Sequence, residues 1–493
     1  MVDAREKPHA ILVSYPLQGH LNPSVHLAIN LASRGFTITF INTHSIHHQI
    51  TSTSSSVAAD GEGDIFSELR QSHGFDIRYA TVSDGLPVGF DRSLHHDQFM
   101  AALLHVFSAH VEEAIEKIVR HSQPAVKCLI ADTYFVWPGK LAKKYGLLYV
   151  SFWTEAALIF TLFYHMDLLR LNGHFGCIDT REDEINYIPG VESIEPKDLT
   201  SFLQEMDTTT VCHQIIHKAF MDAKTADFVL CNTVQELEHD TISALQQKIP
   251  FFAVGPVFST GFTVMTSLWA ESDCSRWLDS KPHGSVLYVS FGSYAHVAKG
   301  DLIEIAKGLL LSKVDFIWVL RPDIVSSDDQ TPLPDGFMEE TGDRGVIVPW
   351  CCQTQVLAHP AVGGFFTHCG WNSVLESIWF QVPMLCFPLY TDQFTDRKLV
   401  VDDWKIGINL CDTVRLTSVE VAEKIKQLMV GKIGDEVRVS IKNVKSTCEK
   451  ALAADGSSEK NIDRFIQELE GKIQEKAVDL KAVDTVSDII FQI

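Results

Sequence analysis

Residues 10–41 read AILVSYPLQGHLNPSVHLAINLASRGFTITFI. The run AILVSY (10–15) is apolar without alternation, as a strand buried on both faces would be. In NPSVHLAINLASR (22–34) the apolar residues Val25, Ala28, Ile29 and Ala32 form one stripe at helical spacing. Asn22 suits the cap of that helix, Pro23 its first position, and Gly35 its stop. FTITFI (36–41) reads as the next strand. A strand, a helix and a strand in this order form a βαβ unit, which requires a parallel sheet.

The same alternation continues outward. Val126–Ala131 (VKCLIA) ends at Asp132, and Leu148–Phe152 and Phe228–Cys231 read as further buried strands with helical stretches between them. The Ser-rich stretch 51–64 (TSTSSSVAADGEGD) lacks apolar period and reads as a mobile loop. Near residue 255, FAVGPVF looks like a joint, because Gly255-Pro256 breaks regular structure. A second series follows: SVLYVSF (285–291), a helix near 299–312, DFIWVL (315–320), GVIVPW (345–350), GGFFTH (363–368), a helix from about 373, and PMLCFPL (383–389). A chain of 493 residues exceeds the roughly 250–300 at which single cores stop growing, so two doubly wound α/β domains are expected. Ligands of such domains sit beyond the carboxyl ends of the strands.

Composition narrows the function. With a formal charge of −22 and no basic patch, the chain is unsuited to nucleic acid or anionic membranes. The N-terminus lacks the pattern of a signal peptide, and the most apolar stretch, Ala156–Tyr164, is too short to span a membrane and reads as a core helix. Eleven scattered cysteines without a CxxC argue against a disulfide framework or zinc ribbon, and no Asn-x-Ser/Thr sequon occurs. A cytoplasmic location is expected.

Residues 365–377, FFTHCGWNSVLES, hold the chemistry of the second domain. A strand ends at Thr367-His368, Gly370 permits close backbone approach, and Asn372 and Ser373 suit the cap of the following helix. Free N–H groups at such a helix start bind phosphate. Ser373-x-x-Glu376 also fits a capping box, which would give Glu376 a purely local role. His368-Cys369 makes a poor metal pair, since no HExxH or CxxC supplies further ligands, and Cys369 reads better as a packing residue than as a nucleophile.

The wider segment 350–393, WCCQTQVLAHPAVGGFFTHCGWNSVLESIWFQVPMLCFPLYTDQ, resembles over its whole length the signature box of plant UDP-dependent glycosyltransferases of small molecules. Gly19-His20, Asp132, FWT (152–154), NT–ELE (232–238), FGS (291–293) and DGSSEKNIDRF (455–465) extend the resemblance over about 1–470. It implies the GT-B fold, two facing Rossmann-like domains with a cleft between them. Residues 1–253 would bind the acceptor, 254–455 the UDP-sugar, and 456–493 would form a helix crossing back to the first domain, plus a tail.

By that resemblance Trp350 would stack on uracil, with Cys351 beside it, Gln353 would bond near uracil and ribose, and Glu376 would accept from the ribose hydroxyls. His368, Gly370, Asn372, Ser373 and, from another loop, Ser293 would meet the diphosphate. Trp371, Tyr390, Asp392, Gln393 and Thr154 would face the sugar. Gln393 goes with glucose within the family, and Trp371 rather than Arg disfavours glucuronate. The family usually has Gly where this chain has Gln381, so a left-handed turn there would strain the backbone. The family also ends soon after the helix that begins near residue 456, whereas this chain continues through 472–493, a tail expected to fray.

His20 follows the first strand, where an imidazole, with an unperturbed pKa of about 6.5, suits deprotonation of an attacking hydroxyl. Asp132 ends another strand of the same sheet, so the two can meet, and a carboxylate on one ring nitrogen fixes the tautomer. The resemblance gives these two the catalytic roles, in a single inverting displacement of UDP from UDP-glucose without metal or cofactor. Tyr134, Phe152 and the segment 156–166 are expected to wall the acceptor site. His44, His47 and His48 read as a polar loop. The chain is expected to be a monomer acting on a phenolic, flavonoid or terpenoid hydroxyl, or on a carboxyl. The alternatives are another UDP-sugar or a non-catalytic, ligand-binding member. A dinucleotide-binding oxidoreductase is disfavoured, since the one near-fingerprint, Gly61-Glu62-Gly63, runs on to Phe66, and a hydrolase lacks its GxSxG.

Overall fold

A computed structural model describes residues 8–53, 63–177, 181–257, 266–325, 333–411 and 415–490, with side chains to residue 478. Seven strands, β1 (His9–Val13), β2 (Thr37–Thr43), β3 (Ile77–Val82), β4 (Val126–Asp132), β5 (Leu148–Trp153), β6 (Phe228–Cys231) and β7 (Phe251–Ala253), form a parallel sheet of order β3-β2-β1-β4-β5-β6-β7. Six more, β8 (Val286–Ser290), β9 (Asp315–Val319), β10 (Gly345–Val348), β11 (Val362–Thr367), β12 (Met384–Cys386) and β13 (Gly407–Asn409), form a second of order β10-β9-β8-β11-β12-β13. The order reverses between β1 and β4 in the first sheet and between β8 and β11 in the second. At these switch points the connections leave in opposite directions and open a crevice.

Most strand residues are buried, because helices cover both faces; the partly exposed ones lie chiefly on the edge strands β3 and β10. One apolar cluster runs from Phe160, Phe220 and Leu245 of the first domain into Trp371, Leu375 and Ile378 of the second, so the domains share a continuous packed interface. The C-terminal helix (Ser457–Ile490) returns to the first domain: Phe465 packs edge-on to Phe228, with centroids 5.4 Å apart, and Asn461 Nδ2 donates to the Ala253 carbonyl at 2.9 Å.

Several local expectations need correction. The first helix spans Gln18–Ser33, so Asn22 is no cap, Pro23 lies inside the helix and His20 is in its first turn. The helix at the second site begins at Trp371 with Gly370 as cap and no side-chain capping bond, so Ser373 lies within it and no capping box forms. His44, His47 and His48 start a helix, His44–Thr53, not a loop. Thr51–Thr53 end that helix, and the remainder of the Ser-rich stretch through residue 62 lies outside the described residues. The chain beyond 472 continues as helix to Ile490; the side chains of Ile489 and Ile490, and all of Phe491, lie outside the described residues. No described helix is long and apolar enough to cross a membrane.

Candidate active site

A cleft of about 1100 Å³ lies between the switch points and draws its walls from both domains. On the first domain's side, β1 leads through Leu17 into the helix that carries His20, and β4 ends on Asp132. His20 Nδ1 lies 2.8 Å from Asp132 Oδ2 and 3.0 Å from Thr154 Oγ1. Asp132 is 2% exposed, and its other oxygen accepts the Tyr134 N–H at 2.9 Å. Two partners on Nδ1 leave Nε2 as the ring nitrogen available for proton transfer. Tyr15 and Tyr134 flank the ring at 5.3 and 5.5 Å between centroids. Thr154 lines the cleft and is bonded to the histidine.

Across the cleft, β11 ends at Thr367 and the chain turns through Cys369, at φ 69°, into the helix Trp371–Phe380. The His368 ring fills the gap between Gly292 and Gly370; a Cβ on either glycine would come within 2.5 Å of Nε2. Burial, and then the Arg321 guanidinium, push the His368 pKa down to about 3, so the ring is neutral. Arg321 donates to the carbonyls of Gly292 and Ala295, the latter at 2.7 Å, and thereby holds the loop that bears Ser293. Among the described residues no lysine or arginine lines the cleft. An anion here must therefore rely on backbone N–H groups, neutral donors and the helix start.

At the far end of the cleft Trp350, 8% exposed, stacks at 6.3 Å on Trp269. Gln353 Nε2 donates to Glu376 Oε2 at 2.8 Å and to Ser373 Oγ at 3.1 Å. Burial raises the Glu376 pKa to about 7 against the opposing Gln353 bond. Cys351 lines the same end and packs with Tyr288. Nearer His20, Tyr390, Asp392 and Gln393 also line the cleft. Gln393 Oε1 accepts the N–H groups of Leu389 and Tyr390 at 2.9 and 3.2 Å, which leaves its amide nitrogen for a ligand.

Trp371 and Asn372 both line the cleft, and each also bonds the first domain. The Trp371 indole N–H, the only polar group of that side chain, donates to the Asn232 carbonyl at 2.7 Å, so it is not free for a sugar hydroxyl. Asn372 Nδ2 donates to the Gly19 carbonyl at 2.6 Å, joining the second domain's helix start to the turn that bears His20. Phe152 does not line the cleft: it is 1% exposed and packs with Val150 and Phe228, because alternate residues of β5 point to opposite faces of the sheet. The helix Ala157–Tyr164 is core as well. Tyr15, Met100 and Ile216 supply the apolar wall instead, with Tyr134 as expected. Glu155, a cleft residue, was missed; its signal was an acid set between a buried strand and a largely apolar helix.

Two parallel sheets facing each other, with a histidine–carboxylate pair at one switch point and an anion cradle at the other, define a GT-B nucleotide-sugar transferase. The model of the UDP-glucoronosyl and UDP-glucosyl transferase family matches residues 268–444. UDP-glycosyltransferase 86A1 of Arabidopsis thaliana is 57% identical over 97% of this chain and 98% of its own. The 7-deoxyloganetin glucosyltransferase of Gardenia jasminoides is 34% identical over 95% and 98%. The structure of Phytolacca americana UGT2 with UDP-2fluoro-glucose and pterostilbene superimposes with a TM-score of 0.76 at 26% identity, covering 94% of this chain and 99% of that one. The chain belongs to the plant UDP-glycosyltransferase family, whose members transfer a sugar from a UDP-sugar to a small molecule.

Proposed function

We propose that this enzyme transfers glucose from UDP-glucose to a small-molecule hydroxyl with inversion at the anomeric carbon. The observation that carries the reading is His20, tied at Nδ1 to Asp132 and placed across the cleft from the helix start at Trp371. His20 Nε2 takes the acceptor proton, the acceptor oxygen bonds to C1, and the C1–phosphate bond breaks with its electron pair leaving on UDP. Asp132 stabilises the imidazolium that forms. N–H groups at the start of the helix Trp371–Phe380, with neutral His368 and Ser293, meet the charge gathering on the departing diphosphate. Trp350 offers a flat face to uracil and Glu376 an acceptor to the ribose hydroxyls. Glucose is favoured by the free amide nitrogen of Gln393 beside Asp392, and by the glucosyltransferase name of the Gardenia relative.

The test incubates the protein with a panel of phenols and, in turn, UDP-glucose, UDP-galactose and UDP-glucuronate. UDP release and product mass are recorded. Glucoside formation abolished by His20→Ala is expected. Transfer that survives this substitution would remove the proposed base, and UDP-galactose as the better donor would remove the glucose assignment.

A further inference from the structure

A second cavity, of about 250 Å³, opens on the first domain beside the cleft. Its walls come mainly from the helices Ala157–Tyr164, Met166–Leu171 and Val211–Ala223 and the single turn Ser201–Gln204. Phe163, Met166, Leu203 and Ile216, all buried, give it an apolar lining. His213 is the one buried polar residue among the described walls, and both its ring nitrogens are engaged, by Thr210 Oγ1 at 2.7 Å and by the Phe202 carbonyl at 2.9 Å. The interior therefore offers apolar surface and no spare polar group. Phe202 and Ile216 line the cleft as well, so an occupant here would touch two side chains that the cleft also presents.

The charge sits at the mouth. Arg170 and Lys218 line this cavity and are exposed, and the Arg170 guanidinium lies 4.6 Å from the centroid of the Phe175 ring. Among the described residues neither cation has a carboxylate partner, and no acid lines the cavity. The acids nearest in sequence are placed elsewhere. Asp167 stands in the first turn of its helix, Glu205 lines the cleft with Oε2 4.0 Å from His213 Nε2, and Asp207 Oδ1 accepts the Thr209 N–H and hydroxyl at 2.9 and 2.6 Å. In a chain of net charge −22, two unpaired cations over an apolar hollow complement a molecule with an apolar body and one anionic end. The hollow is smaller than the roughly 300–1,000 Å³ of drug-sized sites, which limits that body to about one ring with a short chain.

We propose that this cavity is a binding site, separate from the cleft, for a small amphiphilic carboxylate. The apolar body enters against Phe163, Leu203 and Ile216, and the carboxylate stays at the mouth with Arg170 and Lys218. The site takes no part in the transfer steps.

The test measures binding of 3-phenylpropanoate and of its amide, 3-phenylpropanamide, to the UDP-saturated full chain by calorimetry at pH 8. The parent is compared with Arg170→Gln, Lys218→Gln and the double variant. Neither side chain lines the cleft, so a change in binding reports on the smaller cavity, and both are exposed, so the variants should fold. The acid is expected to bind about threefold more weakly in each single variant and about tenfold more weakly in the double, as two exposed charge contacts would give. The amide, which has no charge to lose, should change by less than about twofold throughout. Glycosyl transfer measured without the acid should be the same in all four proteins. No heat of binding from the acid in the parent, acid binding that the double variant leaves unchanged, or an equal loss of acid and amide would overturn the site.

Discussion

Asp132→Asn tests the catalytic pair at one atom. Asp132 does two things: Oδ1 accepts the Tyr134 N–H at 2.9 Å, and Oδ2 holds His20 Nδ1 at 2.8 Å. Asparagine keeps the first bond and turns an NH2 group towards Nδ1. The ring must then offer a lone pair at Nδ1 and carry its proton on Nε2, where it can no longer accept one. The equivalent change in a serine-protease triad costs about 10⁴ in kcat, or about 5 kcal/mol at 1.36 per tenfold. Here Thr154 Oγ1, 3.0 Å from the same nitrogen, provides a fallback partner of about 1 kcal/mol for the productive tautomer. The expected loss is therefore roughly 10³-fold in kcat. Thr154→Val, which leaves the carboxylate in place, should cost about tenfold or less. Asp132 is 2% exposed and does not line the cleft, so UDP affinity, read by calorimetry, should change less than about twofold. A kcat loss under about tenfold, or an equal loss of UDP affinity, would refute the tautomer argument.

Three further outcomes follow from individual contacts. Glu376, whose pKa is raised to about 7, accepts a proton as pH falls through that value and would lose its proposed role as a ribose acceptor, so KM for the UDP-sugar should rise below about pH 7 and Glu376→Gln should flatten the profile. The same raised pKa means the folded chain binds more protons than the unfolded one between 4.5 and about 7, so this residue takes stability away as pH rises through that window. Glu376→Gln should accordingly compare better with the parent in thermal melts at pH 8 than at pH 5. Gln381 sits at φ 58°, ψ 34° as the left-handed cap of the helix Trp371–Phe380; Gln381→Gly should relieve about 1 kcal/mol and raise Tm by about 1 °C in calorimetry. Trp371→Phe keeps an aromatic ring but strands the Asn232 carbonyl, whose residue is 2% exposed, at a cost of about 1–3 kcal/mol in urea melts.

What the sequence made legible depended on whether the signal was local. Strands buried on both faces, such as Val126–Asp132 and Val362–Thr367, are apolar runs whatever surrounds them, and they were read almost to the residue. The short edge strand Gly407–Asn409, and Ile77–Val82 with its partly exposed middle, carry no such run and were missed. Asn22-Pro23 has the composition of a helix start, yet packing begins the helix at Gln18. Asp132 and His20 were paired correctly because two strand ends of one sheet converge, a constraint of topology rather than of neighbouring residues. The face of β5 on which Phe152 lies, and the partner of Trp371, depend on register and domain contact. No local pattern encodes either.

The misplaced proline explains how the two domains are joined. Inside a helix, Pro23 has no N–H to give to the carbonyl four residues earlier, so Gly19 is left with a free acceptor. That carbonyl is the one taken by Asn372. The same arrangement recurs along the interface: Trp371 donates to the Asn232 carbonyl at 2.7 Å, Thr395 to that of Asp198 at 2.7 Å and Trp404 to that of Leu237 at 3.2 Å. In each case a side chain of the second domain donates and the main chain of the first domain accepts. A carbonyl stays in place whatever side chain its residue carries. Side chains on the first domain can therefore change without disturbing these bonds, provided the backbone holds its course. Where the joint does use side chains of the first domain, as at Asp198 with Arg397 and His96 with Tyr294, a substitution would loosen it, so the spacing between His20 and the second domain rests on main-chain acceptors at some points and on specific side chains at others.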